Sequence, residues 1–315
     1  VRPSGLKVQR VSVPLGVIGI IYESRPNVTT DAAAVCIKSG NAVILRGGSE
    51  AIRTNTLLAE IMQNAAVSCG VPADAVQIIG TTDRSAVGEL LQQEKYVDVI
   101  IPRGGKSLIE RISRESRIPV IKHYEGICHQ YVAADADAEM AVSVVVNSKC
   151  QKVEVCNALE TLLIDAECAG RILPSLAEAL RERGVELRGD EQSRAIAPME
   201  KAAREDWAAE YLAPILSIRI VRGVDEAIDH INTWGSGHTD GIITGSLATS
   251  NRFIAGVDSA SVLVNASTRL SGGGDYGMGA VVGISTDKLH ARGPVGPEEL
   301  TSYKWVAVGD GHLRG

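Results

Sequence analysis

The sequence has few cysteines, no long apolar run and no excess of positive charge, and each absence removes a class of function. Six cysteines in 315 residues, none spaced as Cys-x-x-Cys, are too few to staple a secreted scaffold. They read as reduced thiols of a cytoplasmic protein. No apolar run approaches the ~20 residues of a membrane helix. A net charge of −6 gives no electrostatic footing for nucleic acid or an anionic bilayer. No Cys/His cluster has zinc spacing, so no metal is expected, and no Gly-x-Ser-x-Gly elbow marks a serine hydrolase. The opening Val1-Arg2-Pro3-Ser4-Gly5 is followed by no apolar segment and does not read as a signal peptide. Its lack of an initiator Met points to a fragment whose N-terminal part is absent.

What is present is an ordinary globular composition, 45% apolar and 22% charged, long enough for about two domains of ~150 residues. Short β-branched runs alternate with longer amphipathic ones. Strands are expected at 17–21, 42–45, 76–79 and 97–101, with helices at 30–38, 49–68, 85–93 and 106–114 between them. Gly40 marks the end of the first helix. Continuous apolar strands separated by helices indicate an α/β fold with a parallel sheet covered on both faces. The rhythm restarts near Cys128, with helices at 138–146 and 166–183, the second kinked or delayed by Pro174. Further strands are expected at 159–164, 215–221, 242–243, 261–264 and 303–308. The expected division is 1–124, a nucleotide-binding domain; 125–292, a domain carrying the reactive cysteine; and 293–315, a tail and strand returning to the first.

Among the cysteines, Cys36, Cys69 and Cys168 lie on or beside apolar helices and read as small buried hydrophobes. Cys150 and Cys156 lie in a polar stretch, Asn147 to Thr161, read as a loop entering a strand, where Lys149 and Lys152 would favour thiolate. Gly272, Gly274 and Gly277 match Gly-x-Gly-x-x-Gly. No strand precedes them and no helix follows, so they do not form a dinucleotide fingerprint. Arg103-Gly104-Gly105-Lys106-Ser107 does follow a strand and open a helix, so its free N–H groups suit a pyrophosphate.

The segment Cys156-Asn157-Ala158-Leu159-Glu160-Thr161 resembles the nucleophile segment of the glutamate-5-semialdehyde dehydrogenases, or γ-glutamyl phosphate reductases, of the aldehyde dehydrogenase superfamily. So, in order, do the segments 14–29, 40–48, 235–240, 264–269 and 283–294. The resemblance implies an aldehyde dehydrogenase-like architecture, a parallel-sheet cofactor domain plus an α/β catalytic domain, with Cys156 as nucleophile and Cys150 as a neighbour. It implies a cofactor held at Gly104, Gly105 and Lys106. Arg46, with Ser49 and Glu50 beside it, would lie near the adenosine ribose and favour NADP over NAD. Glu210 would sit on the nicotinamide ribose. Asn27 would serve as the oxyanion amide, and Arg25, Arg269 and Arg292 would face substrate carboxylate and phosphate. His123 stands where hydrolytic members carry a general-base Glu, which implies that the thioester exchanges with phosphate rather than water. His238 and His290 are expected to be structural.

The implied reaction is reduction of L-glutamyl 5-phosphate to L-glutamate 5-semialdehyde in proline biosynthesis. The implied assembly is a homo-oligomer, with association or fusion to a glutamate kinase as a further expectation. A hydrolytic aldehyde dehydrogenase using Glu125, and a catalytically impaired fragment with an assembly role, stay open as alternatives. The Gln151-Lys152-Val153-Glu154 stretch departs from the family's Gln-Arg-Pro and brings a carboxylate near Cys156 that opposes thiolate formation.

Overall fold

The structure, a computed structural model, describes residues 5–23, 25–122 and 124–314. The chain divides into two compact units. One comprises Val1–Lys122, Met278–Gly283 and Leu289–Gly315; the other comprises His123–Gly277 and Ile284–Lys288. The division falls two residues before the position read from the sequence, and the chain returns to the first unit at Met278–Gly283 and again from Leu289.

The first unit opens with strand β1 (Lys7–Pro14), which pairs antiparallel with the strand Thr301–Val308 to make a two-stranded ribbon. Next come β2 (Val17–Tyr22), α1 (Asn27–Lys38), β3 (Ala42–Arg46), α2 (Ile52–Ser68), β4 (Val76–Ile78), α3 (Ser85–Leu90), β5 (Val99–Arg103) and α4 (Lys106–Glu115). The strands form a parallel sheet in the order β4-β3-β2-β5. Ile18, Ile20 and Tyr22 join one core cluster with Ala32, Val35 and Ala59, while Ile21 and Ile100 join another with Leu90 and Ile112. Both faces are covered, which is why these strands read as unbroken apolar runs. Gly19 lets the sheet close, since a Cβ there would lie 2.6 Å from Ile100 Cδ1. Gly40 ends α1 at φ +80°, a conformation open to glycine.

The second unit contains β6 (Cys128–Val132), α5 (Ala138–Cys150), β7 (Leu159–Asp165), α6 (Ala166–Arg181), β8 (Glu186–Gly189), α7 (Glu191–Ile196), β9 (Glu200–Lys201), β10 (Ile215–Val221), α8 (Gly223–Trp234), β11 (Thr239–Ile243), α9 (Leu247–Gly256) and β12 (Ser261–Val264). Among the described residues the sheet has the order β12-β11-β6-β7-β10-β8-β9, and every pairing is parallel. Asp137, Asp165, Asp190 and Ser246 accept hydrogen bonds at the starts of α5, α6, α7 and α9, satisfying N–H groups that a helix leaves open. Helix α6 starts at Ala166 and runs through Pro174, so the expected late start does not occur.

One sequence expectation is corrected here. Helix α5 continues to Cys150 instead of stopping at Val146. Its last turn is polar but buried: Ser148 donates to Ser267 Oγ at 3.1 Å and Lys149 to Glu160 Oε2 at 2.7 Å, so distant partners hold a turn that looked like loop. The residues 271–277 form turns, and the glycine match there opens no helix.

The α8 face of this sheet carries a polar patch. His129 is fully buried, with Nδ1 3.0 Å from Asp240 Oδ1. His230 packs edge-on to His129 and Trp207, with Nδ1 3.0 Å from Arg219 Nη1. Burial, then the neighbouring His129 and Arg219, pushes the His230 pKa from 6.5 down to about 3. His230 therefore stays neutral in the fold while the unfolded chain takes up its proton below 6.5. Stability is fully present above that pH and is lost as pH falls toward 3. Between pH 6.5 and pH 5 the loss should be about 2 kcal/mol. Urea titrations at the two pH values check this, with His230→Phe expected to flatten the difference; an unchanged difference would assign it to other groups.

Candidate active site

Cys156 lies at the amino edge of the seven-stranded sheet, in the segment 151–158 between α5 and β7. It is half-buried, and the turn around it is closed by the Ala158 N–H donating to the Val155 carbonyl at 3.0 Å. The β6 strand begins alongside. Its pairing with β7 shifts register between Cys128, opposite Leu159, and His129, opposite Thr161, so Glu160 is the extra residue of a bulge in β7. The Cys128 thiol donates to the Cys156 carbonyl at 3.2 Å.

Gly126 comes closer still. A Cβ at this position would lie 1.8 Å from the Cys156 oxygen and 2.7 Å from its Cα, so only a glycine lets the two backbones meet. The Gly126 N–H donates to Glu210 Oε1 at 2.8 Å, and the next N–H, of Ile127, to Ser236 Oγ at 2.9 Å. Three segments distant in sequence thus converge on one backbone: the Cys156 loop, the strand entry at Gly126 and the Glu210 bend.

Arg269 belongs to the same constellation. Its guanidinium donates to Gln151 Oε1 at 2.9 Å and to Asn157 Oδ1, and the Asn157 amide donates back to the Ser271 carbonyl at 2.9 Å. Arg269 is therefore held against the residue after Cys156. Lys149, expected from the sequence to favour the thiolate, instead gives its ammonium to Glu160, and both side chains are fully buried. Burial pushes the Glu160 carboxyl up to about 7 against the opposing pull of Lys149, and pushes Lys149 down. Burial also raises Cys36 to about 12, Cys168 to about 11 and Cys128 well above the ordinary range. Buried thiols of this kind are inert.

The remaining candidates lie in the first unit, apart from His123, which is outside the described residues. Arg46 is buried. It donates to the Gly47 carbonyl at 2.7 Å and to the Asp83 carbonyl at 3.4 Å, and its Nε has no hydrogen-bond partner among the described residues. Ser49 is exposed and its hydroxyl lies 3.5 Å from Glu50 Oε2. Gly104 and Gly105 follow β5, and Lys106 opens α4, as the pattern implies. The Gly105 N–H, however, donates to Glu23 Oε2 at 3.0 Å, so a carboxylate of the chain itself occupies that donor. Asn27 is the first residue of α1; it is exposed and donates to Asp31 Oδ2 at 3.0 Å. Arg25 is exposed and Arg292 half-buried.

Sequence reasoning missed Gly126, Cys128 and Glu160. For Glu160 a signal existed: a carboxylate one residue into the apolar run Leu159–Ile164 demands a buried partner. A cavity of about 600 Å³ lies at the opposite, carboxyl ends of β6, β7 and β10, with Asp135, Asp165, Glu167 and Arg222 in its wall. Its two inner carboxylates serve the fold: Asp135 accepts from Thr244 and Gly245, Asp165 from Tyr131 and Gly223. Among the described residues no cluster of three or more His, Cys, Asp or Glu suits a metal ion, and no helix is long and apolar enough to cross a membrane.

A sequence profile of the aldehyde dehydrogenase family matches residues 4–213. The chain is similar to γ-glutamyl phosphate reductase from Thermotoga maritima, at 44% identity and a TM-score of 0.97. That match covers 100% of this chain and 76% of the other. It also has the fold of an acetylating aldehyde dehydrogenase from Geobacillus thermoglucosidasius, at 21% identity and a TM-score of 0.76, covering 98% of this chain and 78% of the other.

Proposed function

Because the chain belongs to the aldehyde dehydrogenase family of oxidoreductases, we propose that it reduces L-glutamyl 5-phosphate to L-glutamate 5-semialdehyde, with Cys156 as the nucleophile and NADPH as the reductant. The observation that carries the reading is the meeting of Cys156, Gly126 and Glu210 at one edge of the sheet, in a chain 44% identical to a γ-glutamyl phosphate reductase.

Cys156 thiolate attacks the γ-carbonyl carbon, the C–O bond to phosphate breaks, and a thioester remains with inorganic phosphate released. The oxyanion formed on the way needs donors; the Cys156 N–H and the Asn27 amide are assigned to it, the latter once it leaves Asp31. NADPH, when bound, supplies the hydride that takes the thioester to the aldehyde level. Collapse of the thiohemiacetal, with its hydroxyl proton leaving, returns Cys156 as thiolate. For the cofactor, Arg46 fits an anionic group, since its buried Nε still lacks an acceptor. A pyrophosphate at Gly104, Gly105 and Lys106 requires the Glu23 carboxylate to withdraw from Gly105. Glu210 is assigned to the nicotinamide ribose. Arg269 is assigned to the substrate side of Cys156, and Arg25 and Arg292 to substrate anions. Tyr303 and Trp305 are exposed on the antiparallel ribbon, which suits pairing with a second copy of the chain.

The test runs the reaction backwards. Reduction of NADP⁺ by glutamate 5-semialdehyde should need inorganic phosphate, because phosphate is the acceptor that releases the acyl group from Cys156. NAD⁺ should serve less well, through Arg46. Turnover of equal rate without phosphate would make water the acceptor and sink the reductase reading.

A further inference from the structure

The segment that carries Cys156 is closed at both ends by one buried ion pair. Lys149 is the penultimate residue of α5 and Glu160 the second residue of β7. Their side chains meet at 2.7 Å with neither exposed to solvent, so the loop between them is clasped at its base. Two apolar residues would brace the same ends without the desolvation cost of two charges, and buried pairs are commonly no more stabilising than well-packed apolar replacements. What the charges add is direction. Glu160 Oε2 takes the ammonium, while Oε1 accepts the Leu212 N–H at 3.3 Å. Lys149 Nζ also stands 5.9 Å above the Tyr211 ring, within reach of a cation–π contact.

Leu212 sits at φ +49°, a left-handed conformation that a leucine adopts only when its surroundings impose it. The hydrogen bond from its N–H to Glu160 is such an imposition. Two residues earlier, Glu210 holds the Gly126 N–H, and Gly126 abuts the Cys156 carbonyl. The pair is therefore the node from which the cysteine loop and the Glu210 bend are both aimed.

We propose that Lys149 and Glu160 form a positioning device that sets Cys156 and the Glu210 carboxylate in register, acting through the loop 150–158 and the bend 210–212. The proposal rests on the reading of Cys156 as nucleophile. Neither residue of the pair touches a reacting atom. Removing one partner alone strands a buried charge and destabilises the fold, so the informative variant removes both, Lys149→Met/Glu160→Leu. Its unfolding temperature should stay near that of the parent chain. Its kcat should fall about a hundredfold, the scale of a misplacement near 1 Å, with KM little changed. Amide hydrogen exchange over 150–158 and 210–212 should quicken about tenfold while the rest of the sheet keeps its protection. Lys149→Arg keeps charge and donors and should restore most of kcat. A double variant with parent-like kcat and parent-like exchange in both segments would overturn the proposal and leave the pair as simple bracing. If the double variant does not fold, Glu160→Gln decides by where exchange quickens: confined to 150–158 and 210–212 it supports the device, whereas quickening throughout the sheet, or none, overturns it. Failure of the nucleophile reading would look different: Cys156→Ala would keep its activity, while exchange in the two segments would still respond to the pair.

Discussion

Cys156→Ala is expected to lose turnover by about four orders of magnitude, the scale seen when a covalent nucleophile is removed, with the unfolding temperature nearly unchanged. The loss should be this large because the thiol in contact with the Cys156 loop, Cys128, is buried and cannot take over, and neither can the buried Cys36 and Cys168. Cys36, Cys128 and Cys168 are buried, with their thiols pushed up by that burial. Cys128, the one in contact, directs its thiol to the Cys156 carbonyl. The stability effect should be small because Cys156 is only half-buried. Steady-state kinetics with semialdehyde, NADP⁺ and phosphate reads the loss. A matching experiment maps alkylation of the parent chain near neutral pH, where Cys156 should react first. Activity above a tenth of the parent's in Cys156→Ala would remove it from the mechanism.

The second large effect is at Gly126. Alanine there places a carbon 1.8 Å from the Cys156 oxygen and 2.6 Å from its carbonyl carbon. These are backbone atoms of a loop that is itself clasped, so they cannot rotate away as a side chain would. Relief requires the β6 entry or the Cys156 loop to shift by roughly 1 Å, a displacement that costs about a hundredfold in kcat. Overpacking of this kind also costs about 1–3 kcal/mol, or roughly 2–12 °C in Tm at the ~2–4 °C per kcal/mol of a unit this size. The shift would also stretch the Gly126 hydrogen bond to Glu210, so KM for the cofactor should rise if Glu210 holds its ribose. Kinetics and thermal melts of Gly126→Ala test this; a variant with parent-like kcat and Tm would show that the two backbones separate freely.

Much of this architecture is legible in the residues, and the illegible part has a common cause. Strands β2, β3 and β5 announce themselves because both faces are covered and nothing polar interrupts them. Strand β6 does not, because His129 and Gln130 stand in its middle. His129 is tolerated there only because Asp240, 111 residues later, accepts from both its backbone N–H and its ring. The last turn of α5 hides for the same reason, its Ser148 being satisfied by Ser267, 119 residues away. At the site, Cys156 could be singled out from its polar setting and from the resemblance of the segment that follows it. The role of Gly126 as the glycine that admits the Cys156 carbonyl exists only in three dimensions. So does the distribution of charge around the cysteine: from sequence Lys149 looks like a neighbour that helps the thiol, whereas the fold turns it to Glu160.

The ribbon of Lys7–Pro14 with Thr301–Val308 sets a timetable for synthesis. Its first strand has no partner until the ribosome has added some three hundred further residues, a wait of roughly 15–60 s at ~5–20 residues per second. The unit holding Cys156 lies almost wholly inside that interval of chain and can finish folding while the earlier strand is still unpaired. An unpaired strand left waiting is an invitation to pair wrongly, and Lys7, Arg10 and Pro14 along it are the residue types that discourage such pairing. The strand Thr301–Val308 closes one made some three hundred residues before it.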